Sequence, residues 1–273
     1  GSIITWANHP ETLWSGNLEI TSDYPGHLRR GLSQGILYDG KSYRSGIGGT
    51  HLFIVAALGG LLAPHRRLAV HDPFINETFQ KPSFEKARAI GYRLADKILE
   101  DFDSNQVEQI YQPEIRLVAK KFRVRIKNWR FRLARILRIL KRRFVGWFKI
   151  KTEVALLDIG PARILTIPGE IYPEIVNGGI EAPEGQDFKI EPLEIPPIRE
   201  AMGERINFIF GQTNDALGYI IPKSQWDAKS PYTYGREKRP YGEVNSIGHH
   251  FAPLLHSEVL GLIEKLERAK RSH

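Results

Sequence analysis

Residues 154–170 read VALLDIGPARILTIPGE. The two apolar runs inside them, Val154 to Gly160 and Ala162 to Pro168, predict strands joined by a tight turn, because short runs of Val, Ile and Leu bounded by Gly and Pro suit a buried sheet. Just beyond the second run, Pro168-Gly169 is followed by Glu170, so a carboxylate stands at a strand end. In α/β sheets, ligands and metals commonly gather at strand ends.

The rest of the chain alternates in the same way. Tyr24 to Leu37 predicts a helix with Pro25 in its first turn and Leu28, Leu32 and Ile36 on one face. Gly46 to His51 leads into an apolar strand that breaks at Gly59-Gly60. Ser83 caps a second helix with Ala87, Ile90, Leu94, Ile98 and Phe102 on its apolar side. Residues 174–200 hold four prolines and three glycines among acidic residues, which is loop composition; Arg205 to Gly211 predicts another strand, and Pro253 to Lys270 a terminal amphipathic helix. Without an internal repeat or a linker, the pattern predicts a single α/β domain over 1–273, with mixed β-sheets flanked by helices.

A chain of 273 residues with 41% hydrophobic content is long enough to bury roughly three quarters of its unfolded surface. Cysteine is absent, which excludes disulfides, thiolate metal sites and a cysteine nucleophile. The longest nearly uncharged run, Leu52 to Pro64, is shorter than the roughly 20 residues a spanning helix needs. A nucleophile elbow, a phosphate loop, a dinucleotide fingerprint and a His-Glu-x-x-His helix are likewise absent from the sequence.

The net charge of +8 is unevenly placed. Fifteen Lys or Arg and no Asp or Glu lie between Ile115 and Thr152, leaving the remaining residues at −7. Lys121 to Lys127 alternates charged and apolar residues as a half-exposed strand does. Asn128 then caps a predicted helix to about Gly146, with Trp129, Leu133, Ile136, Leu137, Leu140 and Phe144 on one face and Arg130, Arg135, Arg138, Lys141 and Arg142 largely off it. Three readings fit this segment at 115–152. It is a packed helix with a solvated cationic face, the general expectation for a charge run. Alternatively it rests on anionic lipid, with Trp147 and Phe148 at its end. As a third reading it touches phosphates; no motif for specific nucleic acid accompanies it.

Three polar groups follow apolar strands: His9 after Ile4 to Ala7, Glu170 after Ile164 to Gly169, and Tyr219 after Phe208 to Phe210 through Asn214-Asp215-Ala216-Leu217-Gly218. Taken singly, each has a structural explanation. His9 suits a hydrogen-bonded turn before Pro10, Glu170 a helix cap, and Tyr219 a core aromatic.

Together the segments WANHPETLWSGNLEITSDYPGHLRR (6–30), FIVAALGGLLAPH (53–65), LTIPGEIYPE (165–174) and TNDALGYIIPKSQWD (213–227) resemble successive signatures of the neutral/alkaline non-lysosomal ceramidase family. With the Ser83–Leu99 helix and PYGEVNS (240–246) they cover most of the chain outside the basic segment, in family order. The resemblance implies an αββα-layered catalytic domain in which Zn2+ activates water to cleave the amide of ceramide or a related N-acyl lipid. It assigns zinc ligation to His9, Glu170 and Tyr219, and help with the oxyanion to the tyrosine near Tyr241, with Tyr232 and Tyr234 as neighbouring alternatives. Asp23 falls beside the site. A tyrosine ligand has no support apart from the resemblance, whereas imidazole and carboxylate are ordinary zinc donors. The alternative function is a catalytically silent protein that binds a lipid or membrane surface through its basic segment.

Family members carry an upstream His-x-His segment that supplies a further ligand and the general base. It is not among these residues, so the resemblance implies an N-terminally incomplete catalytic domain completed by an upstream polypeptide. The same resemblance favours a secreted, periplasmic or membrane-peripheral location.

Overall fold

The computed structural model of the chain describes residues 1–60, 63–104, 108–140 and 144–271. They form two compact units, one of residues 1–55 and 61–111, the other of residues 56–60 and 112–273. Both mix strands and helices, as the expected α/β class requires.

The first unit runs from β1 (Ser2–Trp6) to α1 (Asp23–Gln34), the hairpin of β2 (Ile36–Tyr38) and β3 (Lys41–Arg44), then β4 (His51–Val55), the hairpin of β5 (Val70–Asp72) and β6 (Glu77–Phe79), and α2 (Phe84–Asp103). β1 and β4 pair in parallel, with Ser2 opposite His51 and Trp6 opposite Val55. α1 stops short of the expected Leu37, because Gly35 adopts φ +95° and Ile36 opens β2. α2 begins where predicted: the Ser83 hydroxyl accepts a hydrogen bond from the Lys86 amide at 3.1 Å, satisfying one of the free N–H groups of the first turn.

The buried face of α2 differs from the expected one. Ala87, Gly91, Ala95 and Leu99 are buried, whereas Phe102 is exposed and Ile90, Leu94 and Ile98 are only half-buried. The cause is the close approach of α1. A Cβ on Gly91 would lie 2.5 Å from the Tyr24 carbonyl oxygen, and one on Gly31 would lie 2.7 Å from the Ala95 Cβ. Only small residues fit at that separation, so Leu28, Leu32, Ala95 and Leu99 form the core, joined by Ile4 and Phe53 from the sheet.

The second unit contains β7 (Ile115–Arg125), α3 (Trp129–Ile136), β8 (Lys149–Ile159), β9 (Ala162–Thr166), β10 (Glu170–Ile171), α4 (Pro173–Asn177), α5 (Ile198–Ala201), β11 (Ile206–Phe210), β12 (Tyr219–Ile220), α6 (Tyr241–Val244) and α7 (Phe251–Arg271). The predicted strand pair is the antiparallel β8–β9 hairpin at the centre of a sheet ordered β11-β9-β8-β7. β11 runs parallel to β9, and β7 pairs with β8 over eleven residues. Val154, Leu156, Leu165 and Ile209 from this sheet share one core with Phe251, Leu255, Val259 and Leu262 of α7. Asp158 and Arg163 face each other across the hairpin, and the guanidinium binds both carboxylate oxygens at 2.7 and 2.8 Å. Arg163 also donates to Glu267 of α7 at 2.7 Å and to the Met202 carbonyl at 2.9 Å, tying the helix to the sheet.

The basic helix is shorter than its periodicity predicts. α3 has eight residues and ends at Ile136; Arg138 turns to φ +58°, and Phe144 bridges antiparallel to Ile150. Lys141 and Arg142 lie outside the described residues. None of the α3 residues is buried, so the apolar stripe is not packed as the first of the three readings has it. Among the described residues, no helix is long and apolar enough to cross a membrane.

Candidate functional site

In the first unit, the chain leaves the C-terminal end of β1 at Trp6 and turns at Asn8-His9-Pro10. The turn closes through the Glu11 amide, which donates to the His9 carbonyl at 2.9 Å. The buried Tyr24 hydroxyl holds the turn from beneath by donating to the Asn8 carbonyl at 2.7 Å. Asp23 is buried at the start of α1 with φ +50°. Its carboxylate accepts from the amides of Tyr24 at 2.7 Å and Leu13 at 3.4 Å, which ties the loop after His9 to the helix. Asp23 therefore orders the His9 loop through backbone contacts.

Trp6 and Asn8 also border a cleft of about 500 Å³, walled by Leu68, Val70, Ile90 and Leu94. Ile90 and Leu94 of α2, which sequence periodicity assigned to the core, thus line a cleft beside the end of β1 that Arg93, Asp96, Lys97 and Glu100 also border.

In the second unit, Pro168-Gly169 carries the chain from β9 into β10, which lies parallel to β12 with Glu170 directly opposite Tyr219. Adjacent strands are about 4.8 Å apart, and opposed residues in parallel register project on the same face. Glycines make this crossing possible. A Cβ on Gly169 would lie 2.5 Å from the Gly218 carbonyl oxygen, and one on Gly59 2.4 Å from that of Glu170. Gly218, at φ +81°, has the Asn245 oxygen only 1.9 Å from where its Cβ would be. The Tyr219 amide donates to that same Asn245 carbonyl at 3.3 Å.

This strap brings Tyr241 to the pair: the rings of Tyr219 and Tyr241 meet edge to face with centroids 5.8 Å apart. Tyr234, one of the alternatives, instead hydrogen-bonds Glu181. Tyr241 is 72% exposed, so its hydroxyl is open to a ligand.

The sequence reading missed Glu243. It is buried on α6, accepts from the Asp227 amide at 3.1 Å through one oxygen, and has its other oxygen buried without a hydrogen-bond partner among the described residues. Burial, with the nearby Asp227 carboxylate adding to it, pushes its pKa from 4.5 up to about 7. Its position two residues after Tyr241 was the available signal; its burial was not visible in a loop-like, polar stretch.

Among the described residues, no group of three or more His, Asp or Glu is placed to hold a metal ion. The Glu170–Tyr219 pair sets a carboxylate, an ordinary zinc donor, opposite a phenol in parallel register, which is fewer donors than a zinc site needs.

No family model matches the sequence, and no curated protein does. Among solved structures, neutral ceramidase from Pseudomonas aeruginosa matches with a TM-score of 0.59 and 14% identity, over 98% of this chain and 44% of that chain. The chain shares the ceramidase fold. A ceramidase complexed with C2 is equally similar, with a TM-score of 0.59, 14% identity, and coverage of 98% of this chain and 45% of that chain. The chain thus spans less than half the length of either ceramidase. At this identity the likeness to ceramidase is one of fold.

Proposed function

We propose that this chain is part of a zinc-dependent amidohydrolase that cleaves the amide of ceramide or a related N-acyl lipid. The observation that carries the reading is the opposition of Glu170 and Tyr219 with Tyr241 against the Tyr219 ring, on a fold shared with ceramidases. By the resemblance of its His-Pro motif, His9 is proposed as a further zinc ligand. When bound, zinc supplies Lewis acidity that activates water and polarises the scissile carbonyl.

The residues of the chain divide the remaining work. The Tyr241 hydroxyl donates a hydrogen bond to the oxyanion that develops as the carbonyl becomes tetrahedral, a contribution worth about 10²–10³ in rate when one such donor is removed. Tyr219 supports that ring edge to face. Asp23 and Tyr24 hold the His9 turn.

Native mass spectrometry of the protein from its own source, with a ceramide hydrolysis assay on the same sample, tests this reading. One retained zinc, an accompanying upstream polypeptide and release of fatty acid are expected, with zinc lost in Glu170→Gln and Tyr219→Phe. A metal-free, inactive protein, or zinc retained undiminished in both variants, overturns it.

A further inference from the structure

The α3 helix is oriented against the usual logic of an amphipathic helix. Its inward contact is Phe131, which packs against the main core of the second unit. Trp129, Leu133 and Ile136, spaced to share a stripe, face solvent together with Leu137 and Ile139 from the following turn. Trp147, on the return to β8, is 87% exposed. Contiguous exposed apolar residues of this kind mark a surface that is covered by something else.

The charges say what covers it. Arg130, Arg135 and Arg138 are exposed around the stripe. Two lie against aromatic rings: Arg130 at 5.7 Å from the Trp129 ring centroid and Arg135 at 4.5 Å from that of Phe144. The segment from Ile115 to Thr152 has no acidic residue, so a second copy of this face would be repelled and an anionic partner attracted. Phosphates alone satisfy the arginines but leave Ile136, Ile139 and Leu137 in water. An anionic bilayer satisfies both, taking apolar side chains at the acyl boundary and arginines among the headgroups.

The surface is also firmly mounted. The Asn128 side-chain oxygen caps α3 by accepting from the Arg130 amide at 3.0 Å, while its Nδ2 donates to the carbonyls of Val244 and Ser246, both at 2.8 Å. The Lys127 amide adds a bond to the Ile247 carbonyl at 2.8 Å. Ser246 bridges to Gly218, immediately before Tyr219. A short chain of backbone contacts therefore runs from the stripe to Tyr219 and Tyr241.

We infer that the exposed Trp129–Ile136 stripe, with Ile139 and Trp147 and its ring of arginines, docks the protein on an anionic lipid bilayer. Docking stands on these surface features alone; its use, presenting a membrane-borne substrate to Tyr241, rests on the amidohydrolase reading.

The experiment is flotation of the full chain with vesicles of phosphatidylcholine alone and of phosphatidylcholine with one third phosphatidylglycerol. The wild type is expected to float with the anionic vesicles only. Combined Arg130→Glu, Arg135→Glu and Arg138→Glu should weaken that binding by roughly tenfold or more. Ile136→Ser with Trp147→Ser should weaken it at a salt concentration that screens the charges. Unchanged melting temperatures show that the variants fold. Binding to neutral vesicles alone, no vesicle binding, full binding by either variant, or tighter binding to duplex DNA that ignores the apolar variant overturns the proposal. A water-soluble short-chain amide assayed in parallel separates the two readings. Vesicle binding without hydrolysis sinks the hydrolase and keeps the docking; hydrolysis without vesicle binding does the reverse.

Discussion

Glu170 and Tyr219 are directly opposed in the parallel β10–β12 pair, 49 residues apart in sequence. The opposition depends on Gly218, whose φ of +81° and lack of a side chain let the Asn245 carbonyl pass close enough to bond the Tyr219 amide.

Gly218→Ala should therefore cost more than left-handed strain by itself. A non-glycine residue at such a φ costs about 1–2 kcal/mol, and here its Cβ would also meet the Asn245 oxygen at 1.9 Å. Gly235→Ala is the control, since Gly235 has φ +64° and open space around its missing Cβ. Urea denaturation should show the Gly218 variant losing at least about 2 kcal/mol more than the control. Equal losses would mean that the strap accommodates a methyl group.

The Asp158–Arg163 pair yields a second expectation. Both groups are buried, and Arg163→Met removes the bidentate partner of Asp158, leaving the more distant Arg205 at 3.6 Å. Breaking a buried pair from one side costs about 3–5 kcal/mol. Replacing both partners, Arg163→Met with Asp158→Leu, should recover much of that loss. A double variant as unstable as the single one would show that the Glu267 and Met202 contacts dominate.

Gly91→Ala pits two effects against each other. Alanine in a helix interior gains about 0.5–1 kcal/mol over glycine, but its Cβ would lie 2.5 Å from the Tyr24 carbonyl oxygen and 2.7 Å from the Leu28 nitrogen. Backbone atoms cannot swing aside, and overpacking costs about 1–3 kcal/mol, so net destabilisation is expected. Hydrogen exchange should also quicken at the Glu11 amide, because Tyr24 holds the turn containing His9. A stabilised variant would show that α1 and α2 separate freely.

Glu243 sets a pH dependence of definite sign. Its folded pKa, about 7, lies above the ordinary 4.5, so between those values the folded protein holds more proton than the unfolded chain. The contribution to stability is complete below about pH 4.5, falls as pH rises through 7, and amounts to no more than about 3 kcal/mol. Glu243→Gln should flatten this part of the melting-temperature profile relative to wild type. Parallel profiles over pH 4 to 8 would show that the buried carboxyl is not titrating there.

Local sequence was sufficient for much of the fold, since capping, turns and apolar runs act over neighbouring residues. Ser83 starts α2, and the apolar runs at 154–168 make the central hairpin. Periodicity failed where packing distance decides. On α2, the larger apolar residues were displaced from the helix interface by the close approach at Gly31 and Gly91, and Ile90 and Leu94 line the cleft instead. Periodicity likewise left the α3 stripe open between a packed and a surface role, and the exposure of Trp129, Leu133 and Ile136 makes it surface.

The candidate site divides along the same line. The residue types and their places after apolar strands, His9, Glu170 and Tyr219, are properties of the sequence, because strand ends follow from local composition. That Glu170 stands opposite Tyr219, that Tyr241 rather than Tyr234 meets the Tyr219 ring, and that Glu243 is buried were decided by tertiary structure alone. Register and burial depend on which distant backbones come together, and the glycines that permit it acquire their meaning only from the atoms they let approach.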